Sequence, residues 1–211
     1  MTRPTHFEIR LCETCGLRYP VTDIQPTGKR CPLCLGRTRL ILTRHLPPSN
    51  EPLPAASAAS APRLAALLDN LRSAWNVGAI FRSADGLGVD KLYLCGITPT
   101  PTNRAVTKTA LGAEKNVAWE YAHNALDMAA KLKAEGYKLI ALEQDERATP
   151  LWLYSPAPPA NTLLIVGNEV TGVDPDLLDV CDDILHIPMR GGKRSLNVEV
   201  AFGIAAYTLA P

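Results

Sequence analysis

The sequence predicts an α/β domain with a mainly parallel sheet, preceded by a small cysteine-rich unit. Two observations support this fold class. Short apolar segments alternate with helical patterns over residues 63–211, which is typical of a parallel sheet covered by helices. Residues 1–46 instead contain two Cys-x-x-Cys pairs. A chain of 211 residues has room for one full domain and one small stabilised unit.

The N-terminal unit contains four of the six cysteines of the chain. Cys12 and Cys15 form one pair, Cys31 and Cys34 form the other, and fifteen residues separate the pairs. Four thiolates at this spacing suit the tetrahedral coordination of a structural Zn²⁺. A redox dithiol and disulfides are the alternatives. We predict a zinc ribbon over residues 1–46, with sharp bends at Gly16 and Gly36 and with a metal that supplies much of its folding free energy.

Positive charge is concentrated in this ribbon. Residues 1–46 contain eight Lys/Arg and three Asp/Glu, a net charge of +5, whereas residues 47–211 contain 14 and 18, a net charge of −4. This asymmetry favours an RNA contact by the ribbon, and a protein-docking or simply solvated surface is the alternative.

Residues 47–62, PPSNEPLPAASAASAP, are rich in Pro, Ala and Ser and show no periodic apolar pattern. We interpret them as a linker between the ribbon and the large domain, residues 63–211.

The location of the protein is predicted from two absences. No apolar run approaches the roughly 20 residues that cross a bilayer, and the first residues lack the apolar stretch of a secretory signal. We therefore expect a soluble, cytoplasmic protein without a membrane partner.

Six apolar runs in the large domain are predicted strands: residues 63–70, 91–96, 117–122, 138–145, 162–169 and 183–189. The intervening patterns predict helices near 76–87 and 124–135, short helices after 96 and near Pro175, and a final helix from Leu196. In parallel sheets, ligands bind beyond the carboxyl ends of the strands. The segments that follow the strands are therefore where a functional site is expected.

Three such segments have unusual composition: NLRSAWNVGAIFRSADGLG, GNEVTGVDPDLLDVCD and IPMRGGKRSLNVEVAFGIAAY. In order and spacing they resemble the three motifs of the SpoU (TrmH-like) class of SPOUT RNA 2′-O-ribose methyltransferases, over about residues 63–209. The resemblance implies a C-terminal trefoil knot, bound S-adenosylmethionine and a homodimer. It also implies 2′-O-methylation of a ribose in tRNA or rRNA.

The resemblance further implies which residues bind the cofactor. Gly167 ends its strand without a side chain, which permits a close approach to the backbone. The remaining implied cofactor-binding residues are Leu142, Asn168, Glu169, Gly172, Ile187, Pro188, Met189, Ser195 and Leu196.

The catalytic residues implied by the resemblance are Asn76, Arg82, Glu169, Ser195 and Asn197. Arg82 would act on the ribose hydroxyl with the support of Asn76 and Glu169. Ser195 and Asn197 would order the site and the ribose. Because a guanidinium stays protonated in ordinary protein sites, we interpret Arg82 as a clamp for phosphate and developing alkoxide, not as a base.

The residues themselves also have structural interpretations. Asn76 and Ser195 are predicted N-caps of the first and last helices. Gly78 and Arg82 are predicted to lie opposite the inward-facing side of the first helix, which carries Val77, Ile80, Phe81 and Ala84. The loop with Arg190, Lys193 and Arg194 is a predicted phosphate cradle or a solvated loop.

Two other functions remain as alternatives. One is a catalytically inactive RNA-binding SPOUT paralogue, and Glu199 departs from the small or hydroxyl residue that the family usually has there. The other is a dinucleotide-dependent oxidoreductase, which needs a GxGxxG segment that DGLGVD does not supply.

Overall fold

The structure is a computed structural model that describes residues 4–24, 30–46, 63–155 and 161–210. The chain divides into two compact units, Met1–Ala58 and Ala59–Pro211. The predicted linker, residues 47–62, lies outside the described residues. Within the described part of the chain, no helix combines the length and apolar character needed to cross a membrane.

The N-terminal unit contains a three-stranded antiparallel sheet with the order β2-β1-β3. The strands are β1 (His6–Cys12), β2 (Arg18–Thr22) and β3 (Thr38–His45). The two cysteine turns close in the same way, because Gly16 N–H donates to the Cys12 carbonyl over 3.0 Å and Leu35 N–H donates to the Cys31 carbonyl over 2.9 Å. The left-handed residue of the second turn is Leu35, with φ of 59°. The prediction that the chain bends at Gly36 because a Cβ would be in the way is confirmed, since a Cβ there would collide with the Thr14 side chain.

The C-terminal unit contains a seven-stranded sheet with the order β6-β5-β4-β9-β7-β10-β8. All of its strand pairs are parallel, as predicted. The strands are β4 (Leu64–Asp69), β5 (Lys91–Cys95), β6 (Ala118–Ala122), β7 (Lys138–Leu142), β8 (Thr149–Pro150), β9 (Thr162–Val166) and β10 (Asp183–His186).

Helices cover both faces of this sheet. They are α1 (Ala74–Leu87), α2 (Arg104–Ala110), α3 (Ala125–Ala134), α4 (Pro175–Asp179) and α5 (Val198–Leu209). Alternate residues of β4, an interior strand, enter two apolar clusters: Leu68 packs in the cluster that includes α1 and α5 residues, and Leu67 in the cluster that includes α3 and α4 residues. Burial on both faces explains why the strands are almost continuously apolar.

The strand order positions the site. The chain moves outward through β4, β5 and β6, and later inserts β9 between β4 and β7. Val166 therefore pairs with both Leu68 and Leu142, and Leu142 also pairs with Leu185. The carboxyl ends of four strands meet here, where a ligand site is expected. The trefoil knot remains a prediction.

The first helix differs from the sequence prediction at its start. The N-cap of α1 is Ser73, whose hydroxyl accepts from the backbone N–H of Asn76, so Asn76 lies inside the first turn and is not the cap. Val77, Ile80, Phe81 and Ala84 are buried as predicted. Gly78 was wrongly placed on the outer side: it is buried, and a Cβ there would collide with Thr109 and the Val106 carbonyl of α2.

The last helix begins two residues later than predicted. Its N-cap is Asn197, whose side-chain oxygen accepts from Glu199 N–H over 2.9 Å, so the prediction of Ser195 as the cap was wrong. Phe202, Ala205 and Ala206 form its buried side.

Candidate active site

A cavity of about 450 Å³ opens at the carboxyl ends of β7, β9 and β10. This volume lies within the range of small-molecule and cofactor sites. Its lining combines apolar side chains with amides and carboxylates: Asn76, Leu142, Glu143, Gln144, Val166, Gly167, Asn168, Glu169, Val170, Gly172, His186, Ile187, Met189, Ser195, Leu196, Asn197, Val198 and Ala201.

A tight turn after β9 forms one wall of the cavity. The backbones of Asn168 and Gly172 exchange two hydrogen bonds of 3.0 and 2.9 Å. A Cβ at Gly167 would collide with the backbone of Gly172 and Val173. The sequence interpretation linked Gly167 to a ligand approaching its backbone, whereas the structure shows that the neighbouring turn itself requires this glycine.

Glu143, at the end of β7, supports the same turn and was missed in the sequence analysis. Its Oε2 accepts from Val173 N–H over 3.0 Å, and its Oε1 accepts from Gln144 N–H over 2.8 Å. It lies outside the three motif segments, and only its position near the carboxyl end of the predicted strand 138–145 pointed to it. The Gln144 amide in turn donates to the Arg194 carbonyl, which ties the loop after β10 to β7.

Glu169 binds the start of α1 through three hydrogen bonds. Its carboxylate accepts from Arg72 N–H over 2.9 Å, from Ser73 N–H over 3.0 Å and from the Asn76 amide over 3.0 Å. Partial desolvation acts to raise the pKa of Glu169, but these donors outweigh it and hold the pKa below the ordinary glutamate value. A carboxylate so occupied is ionised at neutral pH and is a poor proton acceptor.

Asn76 extends this network to the third motif segment. Its Oδ1 accepts from the Asn197 amide over 3.2 Å, while its own amide donates to Glu169. One chain of hydrogen bonds therefore joins Glu169, Asn76 and Asn197, which come from three separate parts of the sequence. We call this the amide-carboxylate network.

Most of the sequence-predicted site residues meet in the cavity. Four of the five predicted catalytic residues line it: Asn76, Glu169, Ser195 and Asn197. Of the predicted cofactor-binding residues, Pro188 is not among the described residues that form the lining. Arg82 is likewise absent from that set, and it lies exposed on α1 six residues beyond Asn76, or about 9 Å along the helix axis.

Glu199, the departure from the family pattern, has a structural partner. Its Oε1 accepts from the Ser83 hydroxyl over 2.9 Å, which joins α5 to α1. The loop cations predicted to cradle phosphate are exposed, and the Arg190 guanidinium lies 5.9 Å from the ring centroid of Trp152.

The four ribbon cysteines converge in the N-terminal unit. Their sulfur atoms all lie within 4.8 Å of one another. The Cys12–Cys34 and Cys15–Cys31 sulfur pairs are separated by 3.5 and 3.6 Å. Tetrahedral coordination with Zn–S bonds of about 2.3 Å places sulfurs about 3.8 Å apart, so this donor set fits a zinc ion.

The C-terminal unit is similar to known proteins. The model of the SpoU rRNA methylase family matches residues 63–207. The 23S rRNA (guanosine-2′-O-)-methyltransferase RlmB of Acinetobacter baylyi is 33% identical over 144 residues, 66% of this chain and 56% of that protein. The tRNA (guanosine(18)-2′-O)-methyltransferase of Aquifex aeolicus is 32% identical over 141 residues, 66% of this chain and 64% of that protein.

A solved structure shares the fold. The AdoMet-bound rRNA methyltransferase from Sinorhizobium meliloti superimposes with a TM-score of 0.65 at 24% identity, covering 70% of this chain and 55% of that one. The chain thus spans 56% and 64% of the lengths of the two curated relatives. On its matched residues and motif geometry, the chain belongs to the SpoU rRNA methylase family.

Proposed function

We propose that this chain transfers a methyl group from S-adenosylmethionine to the 2′-hydroxyl of a ribose in tRNA or rRNA. The observation that carries the proposal is the amide-carboxylate network of Glu169, Asn76 and Asn197 at the rim of the cavity. The names of the two curated relatives support it, because one acts on 23S rRNA and the other on tRNA, both as guanosine 2′-O-methyltransferases.

The cavity suits the proposed cofactor in polarity and charge. Leu142, Val166 and Ile187 supply apolar surface, and the carboxylates of Glu143 and Glu169 complement a positively charged ligand. When bound, S-adenosylmethionine supplies an electrophilic methyl group on a cationic sulfur. The predicted cofactor-binding residues, including Pro188, remain part of the proposal.

The reaction needs the ribose oxygen to be placed in line with the methyl group. In the transfer, the 2′-oxygen would bond to the methyl carbon as the carbon–sulfur bond breaks with its electron pair left on sulfur, and the hydroxyl proton would pass to solvent water. Glu169 is already occupied by three donors. We therefore assign it to positioning, together with Asn76, Ser195 and Asn197.

Arg82 has a separate role in this proposal. Its exposed position outside the described lining of the cavity suits contact with the RNA, not with the cofactor. A guanidinium there would clamp a phosphate and stabilise the developing alkoxide.

The proposed assembly is a homodimer. Its support is the outer side of α5, where Val200, Ile204 and Tyr207 are 44%, 41% and 75% exposed. These residues border a shallow hollow that Gly86 and Leu87 of α1 also line. An exposed helix side this apolar is typical of a surface covered by a partner. In a symmetric homodimer, each copy would cover this side of α5 on the other copy.

The proposed metal is one structural Zn²⁺ held by Cys12, Cys15, Cys31 and Cys34, supported by the convergence of their sulfurs. The proposed location is the cytoplasm, where tRNA and rRNA would be the substrates.

Transfer of labelled methyl from S-adenosylmethionine to total tRNA and total rRNA tests the function. Label at a ribose 2′-oxygen, located by nucleoside analysis, is the expected result. RNA binding without any methyl transfer would support the inactive paralogue, and label on a base would contradict ribose chemistry.

A further inference from the structure

We propose that Trp75 is a stacking platform for a nucleobase of the RNA, and that Lys108 and Arg104 bind the adjoining phosphates. This inference rests on the proposed RNA substrate and adds a subsite to it. The Trp75 side chain is 54% exposed, although an indole is among the largest apolar groups in proteins. We call Trp75, Arg104 and Lys108 the Trp75 surface.

Trp75 is next in sequence to a residue of the cavity, in a helix turn that hydrogen bonds hold in place. It lies in the first turn of α1, between Ser73 and Asn76, which both donate to Oε1 of Glu169 over 3.0 Å. Asn76 itself lines the cavity, and consecutive Cα atoms are about 3.8 Å apart. The backbone that carries the indole is therefore anchored next to a residue that lines the cavity.

The cations of the Trp75 surface come from α2, which packs closely on α1 at Gly78. The Lys108 ammonium lies 5.5 Å from the centroid of the Trp75 ring, within cation–π range. Arg104 is four residues earlier and so lies on the same side of the helix. Among residues 4–24, 30–46, 63–155 and 161–210, no carboxylate forms an ion pair with either cation.

These features suit a nucleotide. Bases stack on exposed aromatic rings in a largely sequence-tolerant way, and basic side chains alongside follow the phosphates. A base approaching the ring displaces the flexible Lys108 side chain toward a phosphate, so the ring gains a stacking partner and the ammonium gains an anion. Unpaired cations favour a polyanion here over an apolar protein surface, in contrast to the uncharged residues Val200, Ile204 and Tyr207 on α5.

Substitutions separate stacking from charge. Binding of labelled total tRNA and total rRNA by the full chain is measured over a series of salt concentrations. Trp75→Leu should weaken binding on the order of 10-fold or more without changing the salt slope, and Trp75→Phe should retain most of the affinity. Lys108→Gln should reduce the salt slope by about one. All three variants should keep the melting temperature and the affinity for S-adenosylmethionine of the parent chain.

Fluorescence gives a readout that a structural role would not move. The chain has three tryptophans, so Trp119→Phe with Trp152→Phe leaves Trp75 as the reporter. RNA should quench its emission. The inference is overturned if RNA binds without changing that emission, or if Trp75→Leu binds RNA as the parent does. Quenching by RNA in a chain that transfers no methyl group would support this subsite while contradicting the proposed reaction.

Discussion

The side-chain amide of Asn197 donates to Oδ1 of Asn76 over 3.2 Å, across 121 positions of sequence. Asn197 is also the N-cap of α5, because its Oδ1 accepts from Glu199 N–H over 2.9 Å. One side chain therefore caps the start of α5 and links the candidate site to α1, and the two roles can be separated by substitution.

Asn197→Ser should keep the helix cap and lose the contact with Asn76, because a hydroxyl can cap a helix but is too short to bridge to α1. Its stability should stay within a few tenths of a kcal/mol of the parent, whereas Asn197→Ala should lose about 1 kcal/mol. Methyl transfer should fall on the order of 10² in both variants, because the site is misaligned. Denaturant unfolding and single-turnover transfer measure the two effects. Full activity in Asn197→Ser would show that the bridge to Asn76 is dispensable.

Glu169→Gln should destabilise the protein by about 1 kcal/mol at neutral pH, because the side-chain amide of the variant would face three hydrogen-bond donors. The loss of stability stays modest because the Glu169 side chain is exposed to solvent. The pKa of Glu169 is lowered in the folded state, so its stabilisation is present above the unfolded glutamate pKa of about 4.3 and is lost as pH falls through the folded pKa. The deficit of the variant should therefore shrink in acid. Urea unfolding of the parent and the variant at neutral pH and in acid measures this difference in stability. A difference that does not change with pH would contradict the role given to the ionised Glu169 carboxylate.

The strands were predictable from sequence because each buried strand is a short, nearly continuous apolar run bounded by polar residues. Their order was not, because the insertion of β9 between β4 and β7 depends on long-range pairing that no local pattern encodes. The prediction of a trefoil knot rests on the resemblance alone.

The N-caps of α1 and α5 also depend on contacts that are distant in sequence. Both α1 and α5 offer two cap-forming residues within three positions, Ser73 or Asn76 and Ser195 or Asn197. Local pattern cannot choose between them. At α1, the side-chain oxygen with which Asn76 could cap a helix instead accepts from the amide of Asn197, which is 121 positions away.

Ile204→Glu should convert the predicted dimer to a monomer, because it places a charge in the exposed apolar side of α5. Ile97→Glu is the matched control: Ile97 is 66% exposed in the turn after β5 and is not among the described residues that line the hollow beside α5. Light scattering after size exclusion gives the mass of each. A parent chain that is already monomeric would contradict the proposed homodimer.

Purified protein should contain one tightly bound zinc per chain. Cys15→Ser should lose it, whereas Cys181→Ser should retain it, because Cys181 lies in the C-terminal unit outside the cysteine cluster. Removal of the metal by a strong chelator should unfold the ribbon, since so small a unit depends on its metal for stability. Metal analysis and circular dichroism follow the two effects. Four free thiols without zinc in the parent protein would contradict the ribbon.

Arg82→Ala should leave the fold and the affinity for S-adenosylmethionine unchanged, because Arg82 is exposed and lies outside the described lining of the cavity. Methyl transfer should nevertheless fall on the order of 10² to 10⁴, the range for removing one positioned catalytic group. Arg82→Lys should restore little, because a point charge cannot reproduce the planar fork of a guanidinium. Arg63→Ala is the control: Arg63 is also an exposed arginine, but it precedes β4 at the amino ends of the strands, opposite the cavity. Single-turnover methyl transfer to the RNA is measured for all three variants. If Arg82→Ala transfers methyl at the rate of the parent, the catalytic role is wrong and Arg82 is only a solvated residue of α1.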